Sequence, residues 1–244
     1  MTYCVALRLD SGMIFASDSR TNAGVDHIAK FSKMRVYERP EDRVIVVLSS
    51  GNLAITQGVI NLLDRHVHAA EGQASIWNVE TMYDAADLVG VALREMQKKD
   101  GPYLAQQNID ATANLLVGGQ IRGEAPRLFH VYSQGNFIEA TDDTPFFQLG
   151  ESKSGKPILD RVITMATPQK EAAKCVLVSF DSTMKSNISV GLPIDLVWVP
   201  RDSLKVGLQH RIAEGDPYFT MLSSRWAAGL RRVFSEMPDP DWLE

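Results

Sequence analysis

Hydrophobic and polar positions alternate from the first residues of the chain. Between Thr2 and Leu9, the side chains of Tyr3, Val5, Leu7 and Leu9 alternate with Cys4, Ala6 and Arg8, which is the period of a strand with two unlike faces. Asp10-Ser11-Gly12 interrupts the run as a tight turn, and the apolar residues 13–16 are placed to pair back, so the pattern predicts an N-terminal hairpin. Residues 43–49 (RVIVVLS) are rich in β-branched side chains and run into Ser50-Gly51-Asn52, a strand followed by a glycine-containing turn from which a helix should start. Met82, Ala85, Ala86, Val89, Leu93 and Met96 then fall at helical spacing, with Lys98-Lys99-Asp100-Gly101-Pro102 as the expected stop.

The strand pattern returns at residues 112–119, 127–132 and 135–140. Two helical stretches follow, at 156–165 and from 169 to about 183, then a strand at 194–199 and a final strand near 204–206. Phe219, Leu222, Trp226, Leu230 and Phe234 mark a last helix over 217–235. The order is strands, two helices, strands, two helices, strands, helix. No repeat and no long linker divides the chain, so residues 1–244 are expected to form a single α+β domain with helices outside two mostly antiparallel sheets.

Composition narrows the partners. A formal net charge of -5 over 244 residues lacks the basic excess that a phosphate backbone demands, which argues against nucleic acid. No apolar run approaches the roughly 20 residues of a membrane span, and the first residues do not read as a secretory signal. Cys4 and Cys175 stand apart, with no CxxC pair or histidine cluster nearby, so neither a disulfide framework nor a zinc site is expected. The reading is a cytoplasmic protein with no cofactor, no metal and no membrane partner.

One candidate for chemistry lies at the start. A hydroxyl is a poor nucleophile at neutral pH and needs a base, and a terminal residue supplies its own, because the α-amine titrates near 7.7 to 8.0. Thr2 has this property once Met1 is removed, and threonine is small enough for that trimming. With Met1 attached, the Thr2 nitrogen is an amide and cannot serve.

The residues that follow strengthen the candidate. Thr2-Tyr-Cys-Val-Ala-Leu-Arg-Leu-Asp-Ser-Gly, continuing to Ala16-Ser17-Asp18-Ser19-Arg20 and Ala23-Gly24, resembles the N-terminus of mature proteasome β-subunits, with the spacing from Thr2 to Asp18 intact. The resemblance implies that Asp18 holds a lysine beside the nucleophile. An ungapped alignment puts Met34 at that lysine's place; Lys33 serves if the preceding loop is one residue shorter, and Lys30 is the alternative. Gly51 is the implied donor to the developing oxyanion, although a glycine needed only for the turn reads equally well. The loops that support the terminal amine in those subunits match less closely. Their counterparts are Leu149-Gly150-Glu151-Ser152, where Glu151 replaces a serine or Ser152 is displaced from it, and Ser186-Asn187-Ile188-Ser189-Val190-Gly191, where Ser189 keeps its place and Ser186 stands for an aspartate.

Thr-Tyr-Cys-Val at the start, Ser-Gly-Asn-Leu-Ala at the first helix and a tail ending Asp-Trp-Leu-Glu are similar to the bacterial proteasome relatives called Anbu. That similarity implies a four-layer αββα sandwich of the N-terminal nucleophile hydrolase type, a threonine peptidase or amidase acting on a peptide or amide substrate, and self-assembly into a ring or open spiral. Two other functions compete: a self-assembling scaffold with little peptidase activity, and an amidase acting on a small amide. His66 and His68 stand two apart, on different faces of a helix, and read as surface residues rather than metal ligands. Cys4 reads as a packed thiol.

Overall fold

A computed structural model describes residues 2–22, 28–65 and 74–242. His66 and His68 lie outside the described residues. In chain order the elements are β1 (Tyr3–Leu9), β2 (Gly12–Asp18), β3 (Arg20–Asn22), β4 (Ile28–Lys30), β5 (Met34–Arg39), β6 (Arg43–Gly51), α1 (Leu53–Arg65), α2 (Met82–Gln106), β7 (Ala113–Ile121), β8 (Arg127–Val131), β9 (Phe137–Glu139), β10 (Phe146–Gly150), α3 (Lys156–Val162), α4 (Gln169–Ser186), β11 (Ile194–Pro200), β12 (Leu208–Ile212) and α5 (Pro217–Ser235). Two five-stranded antiparallel sheets form, ordered β10-β1-β2-β11-β12 and β5-β6-β7-β8-β9, with β3 and β4 as a separate ribbon.

The alternation along each strand sorts side chains into layers. In the first sheet, Tyr3, Val5, Leu7, Ile14 and Ala16 pack with Val176 and Phe180 of α4 and Phe219 of α5. In the second, Ile45, Val47, Leu115 and Val117 pack with Val59 of α1 and Val89 of α2. The opposite faces, carrying Cys4, Ala6, Met13 and Phe15 from one sheet and Val44, Val46, Leu48 and Leu116 from the other, meet between them. The result is the four-layer αββα sandwich, with both faces of the central strands β1, β2, β6 and β7 buried. The spacing of the inner layers is tight at Gly118, where an added Cβ would lie 2.9 Å from the Phe15 ring and 3.0 Å from Leu128 and Met13.

Several boundaries differ from the pattern-based expectation. The strand expected near 204–206 forms instead at Leu208–Ile212. Residues 203–206 are taken up by a turn in which the Ser203 hydroxyl is shared between the Pro200 and Lys205 carbonyls and Leu204 has a φ of 47°. Helix α2 runs past Gly101-Pro102 to Gln106, because Leu104 beyond the proline still packs on the core of the second sheet. Strand β10 has no counterpart in the hydrophobic pattern, because its Phe146 and Leu149 lie in a segment too short and irregular to show a period. Among the described residues no helix is long and apolar enough to cross a membrane, and no cluster of three or more His, Cys, Asp or Glu is placed to hold a metal ion.

Candidate active site

The two sheets bring their strand ends together around Thr2. The turn at Gly12 folds β2 back on β1 in a register that pairs Cys4 with Ser17, which sets Asp18 at the end of β2 beside the start of β1. Asp18 is fully buried, and one carboxylate oxygen, Oδ1, accepts from the Tyr3 amide at 3.0 Å and from the Lys33 ammonium at 2.8 Å. The residue next to the candidate nucleophile is thus tied by its backbone to the acid–lysine pair.

Lys33 reaches Asp18 from the other sheet. Its carbonyl accepts from the Ser49 amide at 2.9 Å, which anchors it to the end of β6, and its ammonium also donates to the Arg20 carbonyl at 2.6 Å. The next residue, Met34, begins β5 opposite Leu48 and packs on the inter-sheet core, so Lys33 and not Met34 meets Asp18. The backbone of Lys30 belongs to β4, and its side chain lies outside the described residues. Burial pushes the Asp18 carboxyl above its usual range, while the Lys33 charge, the Tyr3 amide and the Gly191 backbone oppose that rise.

Thr2 itself is nearly buried, at 8% exposure, and shares a cleft of about 910 Å³ with Lys33, Gly51, Ser49 and Gly150. Gly51 closes β6 at a φ of 111°, where an added Cβ would lie 2.2 Å from the Thr112 carbonyl oxygen, so the backbone alone demands glycine there. Asn52 then caps α1, its side chain accepting from the amides of Ala54 and Ile55 at 3.0 and 3.2 Å.

The two supporting loops meet through a residue that the sequence marked only as a departure. The Glu151 amide donates to the Thr2 carbonyl at 2.8 Å. Its carboxylate accepts from the Asn187 side chain at 3.1 Å, and Asn187 in turn accepts from the Ser189 amide at 2.9 Å. Ser189 therefore connects to Thr2 through Asn187 and Glu151 rather than by direct contact among the described hydrogen bonds. Gly150 is required for the approach: its φ is 79°, and a Cβ would lie 1.8 Å from the Thr2 carbonyl oxygen. Asn187 was not legible as a site residue, because its role depends on where α4 ends.

Tyr3 adds a second anchor that sequence alone did not single out. Its hydroxyl accepts from Gln148 of β10 at 2.6 Å and donates to Ser179 of α4 at 3.1 Å, and its ring meets Phe180 edge-on at 4.7 Å. Cys4 is wholly buried with its thiol against the Ser49 carbonyl at 3.7 Å. Burial, with the Asp18 charge nearby, pushes that thiol far up, which leaves it neutral and no rival to Thr2.

No protein-family model matches the chain, and no curated protein does. Solved structures do. Anbu (ancestral β-subunit) from Yersinia bercovieri is 51% identical over 98% of this chain and 99% of its own, with a TM-score of 0.92. Anbu from Hyphomicrobium sp. strain MC1 is 48% identical over 98% and 99%, with a TM-score of 0.91. The helical assembly of the Anbu complex from Pseudomonas aeruginosa contains a chain 49% identical over 99% of this one and 100% of its own, at a TM-score of 0.94. Identity near one half over essentially the whole length of both partners, on the same four-layer sandwich, means that this chain belongs to the Anbu family of proteasome-like proteins.

Proposed function

We propose that the chain is a threonine-type peptidase or amidase whose nucleophile is Thr2 after Met1 is removed. The observation that carries this reading is the buried Asp18–Lys33 pair, joined through the Tyr3 amide to the residue after Thr2 and opening with Thr2 on one cleft. An ion pair with little solvent access stabilises an isolated fold weakly at best, so its place on the same cleft as Thr2 favours a chemical role. In this reading the Thr2 hydroxyl attacks the substrate carbonyl and the Thr2 amine takes the proton. Lys33 steadies the developing charge, Gly51 donates its amide to the oxyanion, and the proton passes to the leaving amine. Water then releases the acyl group. Glu151 and Ser189 belong to the frame that holds the Thr2 backbone.

Self-assembly is part of the same proposal. The second half of α5 exposes Leu230, Val233 and Phe234, followed by Met237, as an apolar surface on a protruding helix, and the Pseudomonas relative forms a helical assembly. A scaffold without turnover is the second reading. It is favoured by Glu151, which brings a carboxylate to the supporting loop where a proteasome subunit has a serine.

The test is direct. Intact mass establishes whether Met1 is gone, and a threonine-directed electrophile should then label Thr2 of the trimmed protein, with no labelling of Thr2→Ala. A trimmed protein that resists the electrophile, or a Thr2→Ala variant with unchanged turnover, removes the hydrolase reading and leaves the scaffold.

A further inference from the structure

The cleft next to Thr2 has a charge character. One wall is α1, whose Gln57 and Asn61 stand one helical turn apart and both line the cleft, so their carboxamides share a face. The start of β5 contributes Arg35, which reaches Asp64 near the end of α1. Ser49, Ser50 and Thr56 also line it. Among the described residues that line the cleft there is no aspartate or glutamate.

Arg35 is oriented rather than free. Its Nη2 donates to Asp64 Oδ2 at 2.9 Å, and its guanidinium lies 5.5 Å from the centre of the Tyr37 ring. The other oxygen of Asp64 accepts from the Tyr37 hydroxyl at 3.0 Å, so this carboxylate is engaged on both sides. The Arg35 side chain stays half exposed, with Nη2 on Asp64 and the Tyr37 hydroxyl close by. A guanidinium has five N–H donors in a fixed plane, so the solvent-facing half of Arg35 keeps donors to offer a carboxylate.

We propose that this cleft selects a substrate with an acidic side chain next to the bond that Thr2 attacks, with Arg35 as the specificity-determining residue. The inference rests on the hydrolase reading for the bond that is cleaved, but the recognition itself needs no turnover. A carboxylate entering the cleft meets the Arg35 fork and the carboxamide N–H groups of Gln57 and Asn61. A lysine or arginine side chain meets the same cation, whose nearest counter-charge, Asp64, is already held by Arg35 and the Tyr37 hydroxyl. Discrimination between the two comes from attraction on one side and repulsion on the other, which for a half-exposed cation amounts to about tenfold.

The experiment uses three acetyl-tripeptide aminocoumarin amides that differ only at the residue next to the amide: glutamate, leucine or lysine. With the trimmed wild-type protein, kcat/KM should be about tenfold higher for the glutamyl than for the lysyl peptide. Arg35→Gln should bring that ratio close to one, and Arg35→Glu should invert it. Because Arg35 is half exposed, both variants are expected to fold, and their thermal transitions check this. The same peptides titrated calorimetrically into Thr2→Ala report binding without cleavage. If none is cleaved yet the glutamyl peptide binds about tenfold tighter, the hydrolase reading fails and this inference stands. Equal binding of all three, a preference for lysine, or a wild-type ratio retained in Arg35→Gln overturns it.

Discussion

At the scale of single residues, the pair formed by Asp18 and Lys33 is the clearest meeting of stability with chemistry. Asp18 is fully buried and Lys33 has 7% exposure, so removing either charge strands the other in a site with little water. Asp18→Asn is therefore expected to cost on the order of 3 kcal/mol, lowering Tm by roughly 6–12 °C, as well as abolishing labelling of Thr2 by an electrophile. The double variant Asp18→Asn/Lys33→Met should regain part of that Tm, because the stranded ammonium is gone, and remain unlabelled. Labelling at the wild-type rate in the double variant would show that the pair takes no part in activating Thr2. The sequence made much of this legible. The spacing from Thr2 to Asp18 lies within one hairpin, where local register fixes relative position. Lys33 was ambiguous against Lys30 because its place is fixed by a bond from the Ser49 amide to its carbonyl, a contact between distant segments that periodicity does not encode. Glu151 was visible only as a mismatch, since its bond to Thr2 comes from pairing across most of the chain.

At the scale of elements, Tyr3 links β1 to β10 and α4 through its hydroxyl, and burial pushes that hydroxyl up to about 12 from 10.0. The folded protein holds this proton where the unfolded chain has lost it. The contribution to stability is present below pH 10 and is lost as pH rises through about 12. A shift of this size corresponds to about 2–3 kcal/mol at full loss. Tyr3→Phe should have a flatter dependence of unfolding free energy on pH across that window, measured by denaturant titration; an unchanged slope would mean that other groups dominate. Elements with a strong period, such as β1, β6 and α5, were readable in advance. The placing of β12 was not, because the Ser203 turn and the left-handed Leu204 answer to hydrogen bonds with β11 rather than to hydrophobicity. The end of α2 was misjudged for a related reason: a proline removes one helical hydrogen bond, and the packing of Leu104 outweighs that loss.

At the scale of the whole molecule, the exposed apolar residues at the end of α5 are expected to be covered by neighbouring copies. Replacing Leu230 and Phe234 together with aspartate should lower the mass seen by multi-angle light scattering without changing the circular dichroism spectrum, since both side chains lie outside the core. An assembly of undiminished mass would place the contacts elsewhere. The layered architecture was legible from the order of strands and helices, whereas the apolar end of α5 read in sequence only as the continuation of an amphipathic helix.

The tight contact at Gly118 reaches further than its position suggests. Thr2 and Asp18 ride on one sheet, while Gly51 and the Ser49 anchor of Lys33 ride on the other. Under the proposed hydrolase reading, substrate enters where these two sheets meet, and the packing of Phe15 against Gly118 is one of the contacts that holds the sheets at their separation. Interior side chains far from the cleft act as the jaws of a caliper. Under that reading, inherited variation at these buried positions retunes the opening without altering any residue that lines the cleft.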